Sequence, residues 1–276
     1  MKRSSLGVLV AVVTAACGCV SVPIAPASQL IDRGAAGARL AVDGHGRALV
    51  TYRARGRARA VLARGAINAR APSERSPQVE FALRYAAPVG RGGCRRYDGP
   101  ALPWLVAACT APDGSYWALQ SWSRIVPVGS SLTAGARELR LSHWRGELPA
   151  LTVGIGWVAG RYHRLVGRLT YAGRPVHGFR STHAGSPLDG YGRNIYVDTL
   201  DSAYGSGWRR ENGFLTHAPS GGFCYGFFPH GARPSGMGVA YRATVIGPGV
   251  TPDVSWEQRA PGRTRAGTAG AAGCPR

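Results

Sequence analysis

The stretch GRNIYVDTLDSAYGSGWRRENGFLTH, Gly192–His217, carries both the fold signal and the densest chemistry of the chain. Ile195, Val197 and Thr199 alternate with Tyr196 and Asp198. That period of two places one set of side chains on each face of a β-strand. Gly205–Gly207 reads as the turn that follows, and Arg209-Arg210-Glu211 supplies its own counter-charges.

The same alternation recurs along the chain. Val79, Phe81, Leu83 and Tyr85 are spaced by Glu80, Ala82 and Arg84, and Leu139 and Leu141 by Arg140. Leu165, Leu169 and Tyr171 alternate with Arg168 and Thr170, and Tyr241, Ala243 and Val245 with Arg242 and Thr244. Turn chemistry separates these runs: Asp43-Gly44-His45-Gly46, Asp113-Gly114, Ala172-Gly173 and Gly247-Pro248-Gly249. Helix signals are scarce. The expectation is an all-β, antiparallel, sandwich or barrel-like fold with few helices, built as one large or two small β units.

The expected organisation follows from composition. Lys2 and Arg3 precede an apolar run, Leu6–Val22, and Ala25-Pro26-Ala27 is a small-residue cleavage site, so 1–27 reads as a secretory signal peptide. Thr14-Ala15-Ala16-Cys17 offers a rival route, a lipobox-like sequence that would lipidate Cys17 and tether the protein to the outer face of the membrane. Residues 28–36 read as a linker, 37–127 as a first β unit, and 128–136 as a linker or surface loop. Residues 137–257 read as a second β unit, and 258–276 as a flexible basic tail. No transmembrane segment is expected after the signal.

Removal of 1–27 leaves Cys94, Cys109, Cys224 and Cys274, an even set that fits two disulfides in an exported chain. The short separation and the intervening turns favour Cys94–Cys109, leaving Cys224–Cys274. No C-x2-C pair is present for zinc, and no cofactor motif is found.

The formal charge is +20, and Lys2 is the single lysine, so the rest of the cationic charge is arginine. Such a surface attracts wall polymers, acidic glycans and other polyanions. Export and the absence of a zinc-finger or RNP motif argue against specific nucleic-acid recognition.

Two segments, CRRYDGPALPWLVAACTAPDGSYWALQSW (Cys94–Trp122) and PLDGYGRNIYVDTLDSAYGSGWRRENGFLTH (Pro187–His217), resemble an uncharacterised family of exported actinobacterial proteins. The likeness extends from about Ala38 to Trp256. It implies export and a shared fold, and it carries no activity.

The candidate catalytic residues are Asp198, Asp201, Glu211 and His217, in a window that also holds His177, His183 and Asp189. Two carboxyls about 5–9 Å apart would suit a glycan hydrolase. Tyr196, Tyr204 and Trp208 would stack on sugars, and Arg209 and Arg210 would meet anions. Asp198 and Asp201 are also the pair that calcium would need, although no EF-hand repeat accompanies them. The competing reading pairs these acids with Arg193, Arg209 and Arg210.

Gly222-Phe223-Cys224-Tyr225-Gly226 matches a nucleophile elbow with cysteine at its centre, but the expected disulfide would remove the thiol. His143, beside Trp144, is expected to pack or hydrogen-bond, and His45 and His230 to face solvent. The favoured expectation is a non-catalytic, surface- or wall-associated binder of polyanions or glycans. The alternative is a secreted hydrolase using carboxylates in 177–217.

Overall fold

The computed structural model describes residues 28–65, 81–85, 93–123, 125, 137–171, 173–175, 194–211, 216–217, 222–229, 231–232, 234–246 and 251–262. The expected signal peptide, Cys17, the 128–136 stretch, His177, His183, Asp189, His230 and Cys274 lie outside these residues, as does the expected tail beyond 262.

The first strands are β1 (Gln29–Arg33), β2 (Ala36–Val42), β3 (Ala48–Ala54), β4 (Arg57–Gly65), β5 (Phe81–Tyr85), β6 (Arg95–Arg96), β7 (Leu105–Thr110), β8 (Tyr116–Ser123) and β9 (Arg137–Trp144). They are followed by β10 (Ala150–Val158), β11 (Tyr162–Tyr171), β12 (Arg174–Pro175), β13 (Asn194–Ser202), β14 (Gly205–Arg210), β15 (Thr216–His217), β16 (Gly222–Gly226), β17 (Ala240–Ile246) and β18 (Val254–Arg259). Every strand pairing among the described residues is antiparallel. No helix occurs there, and so none is long and apolar enough to cross a membrane.

The strands form four sheets, ordered β2-β3-β4-β5, β1-β9-β8-β7-β6, β10-β11-β16-β15 with β12 beside β11, and β14-β13-β17-β18. They stack in two pairs because each sheet has one apolar face to cover. Leu40, Val50 and Val61 from the first sheet share a core with Trp117, Leu119 and Leu141 from the second. Leu165, Phe223 and Tyr225 from the third share another with Val197, Tyr241 and Val245 from the fourth. Gly167 admits the second core's aromatic packing, since a Cβ there would overlap the Phe223 ring.

Three boundaries differ from the sequence expectation. Gln29–Arg33, read as linker, is an edge strand hydrogen-bonded to β9. Arg137–Trp144, read as the start of a second unit, pairs along its whole length with β8 and completes the earlier sheet. β18 runs to Arg259, past the expected start of the tail. The turn read at Gly205–Gly207 falls earlier, at Ala203-Tyr204, and Gly205 and Gly207 lie within β14. The register shifts between Leu200 and Ser202, and Asp201 takes a left-handed φ of 47° there. Its Oδ1 accepts the Gly207 amide at 2.7 Å, which offsets that backbone cost.

Cys94 and Cys109 form the expected disulfide, with Cα atoms 5.1 Å apart. Cys224 is buried in β16 and is disulfide-bonded. Its expected partner, Cys274, is outside the described residues.

The two sandwiches meet through the outer face of β8 and β9. Gln120 is fully buried (0% exposed) and acts there as a surrogate peptide group. Its Oε1 accepts the Asp253 amide at 2.9 Å, and its Nε2 donates to the Asp253 carbonyl at 3.0 Å and the Pro103 carbonyl at 2.9 Å. Ser28 Oγ donates to Asp253 Oδ1, and Arg140 Nη1 donates to the Ser28 carbonyl at 3.1 Å. Glu138, 3% exposed, holds Arg140 at 2.6 Å and Arg33 at 3.2 Å.

Replacing Gln120 by Ala orphans buried backbone groups on both sides of this junction. We expect Gln120→Ala to lose about 2–4 kcal/mol of stability, measured by urea denaturation.

Candidate functional site

β13 sets the directions of the expected site residues. Its alternation sends Ile195, Val197 and Thr199 toward the second core and Tyr196 and Asp198 toward the junction. Arg210 stands directly opposite Asp198 in the β13–β14 register. Both are buried, at 4% and 1% exposure, and they form a two-pronged ion pair through Arg210 Nε to Asp198 Oδ1 and Nη2 to Oδ2. The guanidinium stacks 4.2 Å from the Tyr196 ring centre and 5.6 Å from that of Trp122 in the other sandwich. Asp198, Tyr196 and Arg210 are thus spent on the junction.

Glu211 follows Arg210 and points the other way. Its Oε1 accepts from Thr199 Oγ1 at 2.8 Å, and a Cβ on Gly236 would collide with its carboxyl group. Burial pushes the Glu211 pKa up to about 7, against the lowering effect of hydrogen bonds from Thr199 and Tyr225, while the Asp198 charge adds to the rise. Burial and the neighbouring Glu211 carboxyl also raise the Tyr225 phenol. Tyr241 sits nearby, its hydroxyl joined to His163 Nδ1 and accepting the Gly238 amide at 3.3 Å. Burial lowers the His163 pKa. Asp198 and Glu211 therefore project from opposite faces of the β13–β14 ribbon and do not converge on one cleft.

The remaining candidates are dispersed. Asp201 is exposed and caps its own turn. Trp208 lies under Arg242, whose guanidinium is 3.8 Å from a ring centre and also meets Glu257 at 3.1 Å. Tyr204 donates to the Pro234 carbonyl at 3.0 Å. Arg209 is exposed beside Gly205. The His217 backbone pairs with Phe223 in β15–β16. Phe223-Cys224-Tyr225 is a buried strand rather than an elbow, and its cysteine is bonded. Among the described residues no three His, Cys, Asp or Glu side chains cluster at metal-binding range.

A cleft of about 480 Å³ lies instead in the first sandwich, between the β2–β3 turn (Gly44–Arg47) and the β7–β8 turn, with Arg64, Gly65, Pro112, Asp113 and His143 in its walls. Asp43 shapes the first turn: Oδ1 accepts the His45 and Arg47 amides at 3.0 and 2.9 Å, and Oδ2 meets Arg47 Nε at 2.7 Å. Asp113 shapes the second, accepting the Ser115 amide at 3.0 Å and the Ser115 hydroxyl at 2.6 Å. Ser115 Oγ is 2.8 Å from His143 Nε2, and His143 Nδ1 is 2.7 Å from the Gly65 carbonyl. The imidazole stacks flat on Trp117, 3.7 Å between ring centres, and Trp117 Nε1 donates to the Gly46 carbonyl at 3.0 Å.

This Ser–His–Asp string is wired differently from a nucleophilic triad. In a triad the carboxylate orients the histidine and the serine is free to attack. Here the carboxylate holds the serine, a carbonyl holds the histidine, and Ser115 is fully buried. The arrangement fixes charge and shape. Its local signal in the sequence is Asp113-Gly114-Ser115, an Asx-type turn; nothing local links that turn to His143, which strand pairing brings alongside.

No protein-family profile matches the chain, and neither a curated protein nor a solved structure is significantly similar to it.

Two outcomes follow from the β13–β14 geometry. Asp198→Asn strands the buried Arg210 charge and should lose about 3–5 kcal/mol in denaturation, whereas replacing both partners by apolar residues should restore much of that loss. Glu211 ionises more readily in the unfolded chain than in the folded one. Its contribution is therefore most favourable at low pH and declines as pH rises from its ordinary value of 4.5 to about 7. Glu211→Gln should flatten that decline, up to about 3 kcal/mol, in urea midpoints measured across the same range.

Proposed function

We propose that this is an exported, basic β protein that binds anionic polymers at the cell surface or wall without catalysis, either released or held by a lipid on Cys17. The observation that carries this reading is the outer face of β2-β3-β4-β5. Leu40, Tyr52, Ala63 and Val61 turn inward, so Arg39, Arg53, Arg64 and Arg84 emerge together on the opposite face. All four are exposed, and among the described residues none of them meets a carboxylate.

Five of the described acids are engaged elsewhere. Asp32 lies 3.8 Å from Arg59, while Asp43 and Asp113 serve the two turns; Glu138 and Asp198 are buried with their arginines. A pleated surface bearing guanidinium groups, with no carboxylate bound to them among the described residues, suits a chain of phosphates or carboxylates, since each guanidinium can grip two oxygens. Polyanions of the wall and acidic glycans fit this chemistry. The hydrolase reading has less support, because its best carboxylates face away from each other and one is locked to Arg210.

The triple variant Arg39→Gln, Arg53→Gln, Arg84→Gln should keep its thermal stability and bind heparin or a polyphosphodiester more weakly. The slope of log affinity against log salt should flatten by about one for each arginine in contact. Polymer binding by the unaltered protein that ignores salt would overturn the reading.

A further inference from the structure

Strand alternation gives β16 two unlike faces. Phe223 and Tyr225 enter the second core, so Gly222, Cys224 and Gly226 turn to the outer face of the β10-β11-β16-β15 sheet. Pairing sets Cys224 between Val166 of β11 and the backbone of Thr216 in β15. Over β10, and at Arg168 of β11, that face is open. Ala150, Thr152, Gly154 and Arg168 are exposed, and a Cβ added to Gly156 would meet no atom of the described residues within 4 Å. Over β16 the same face is closed. Gly222 is buried and Cys224 is only 4% exposed, although the outer face of an antiparallel sheet is commonly solvated. Something therefore lies on β16 and not on β10.

The bond made by Cys224 narrows what the cover is. Cys224 is disulfide-bonded, while Cys94 and Cys109 hold each other, so its partner is Cys17, Cys19 or Cys274, all outside the described residues. The two ends of the described chain separate these. Ser28 is fixed to Asp253 at the junction, across the second sandwich from this face. Gly262, by contrast, lies beside the sheet. Ala260 packs on the second core and donates to the Val239 carbonyl, and Pro261 sets its backbone against His163 in β11, whose own carbonyl takes the Phe227 amide just past β16. From Gly262 to Cys274 the extended chain reaches about 40 Å, against a spacing of about 4.8 Å between neighbouring strands.

We propose that residues 263–276 form a strap that continues from β18, docks on the outer face of β16 and is fixed there by a Cys224–Cys274 disulfide. Ala266–Gly273 contains only Ala, Gly and Thr, short enough to lie close on a strand whose outward positions on either side of the cysteine are glycine. Bond formation joins the two sulfurs and passes two protons and two electrons to an oxidised disulfide carrier. The ring so closed contains β17 and β18, so it restrains the fourth sheet while covering part of the third.

The test uses the full, oxidised chain. Digestion without reduction, read by mass spectrometry, should yield peptides linked through Cys224 and Cys274. A link from Cys224 to Cys17, to Cys19 or to a second chain, or Cys274 recovered as a free thiol, would overturn the proposal. Docking is read separately, as the rate of trypsin cleavage after Arg263 and Arg265. Cys274→Ser should raise that rate about tenfold, since cleavage follows the fraction of time the segment is off the sheet. Gly222→Gln puts a long side chain beneath the strap with both cysteines in place, and should raise the rate in the same direction. Rates equal to those of the unaltered protein in both variants would mean a tether without a docked segment, and would sink the proposal.

Discussion

Gln120 is a side chain doing the task of a backbone. Its amide pairs with both the N–H and the C=O of Asp253, as a neighbouring strand would, across the place where two separately cored sandwiches meet. A primary amide is the one uncharged side chain that offers a donor and an acceptor in this geometry. Around it the junction is polar and largely buried: Ser28, Glu138 and Arg140 on one side, and Asp198, Arg210 and Tyr196 on the other, with Trp122 between them. Such networks are costly unless every member is satisfied, so they tolerate little change in the relative placement of the two halves. The buried charges specify how the sandwiches dock more than they add to stability.

That junction also explains the distribution of charge. A chain with 14 acids against 34 basic residues has few carboxylates to spare. Several are committed where their partners are buried or where a turn must be closed. What the described residues show on the far side of the first sandwich is arginine that meets no carboxylate among them. The electrostatic asymmetry is thus a consequence of where the fold requires acids, and the arginine face of the first sandwich is what the internal pairing leaves behind.

Much of this was legible in the sequence. Alternation at Leu139–Leu141, Leu165–Tyr171 and Tyr241–Val245 marked real strands, and the turns at Asp43 and Asp113 lie where the Asp-Gly signals stand. Partnership was not legible. Nothing in Arg137–Trp144 says that it returns to β8, because strand pairing is decided by contacts across 128–136. The Arg209-Arg210-Glu211 triplet looked self-neutralising. In a strand, neighbours point to opposite faces, so Arg210 reached Asp198 and Glu211 turned inward to Thr199. His143 was legible as a packed, hydrogen-bonded residue, and its place over a cleft was not, since the cleft is made by two turns far apart in sequence.

The chain enters the described fold at the junction, with the Ser28 hydroxyl on Asp253 and β1 at the edge beside β9. The arginine face lies on the opposite side of the first sandwich. A pull between that face and the chain before Ser28 would therefore be a mechanical load with a defined path. It crosses the first core, then the β1–β9 ladder, and reaches the Ser28–Asp253 bond before it strains the second core. β1 is held by a single ladder, on β9, so it would be the first strand to yield to such a pull.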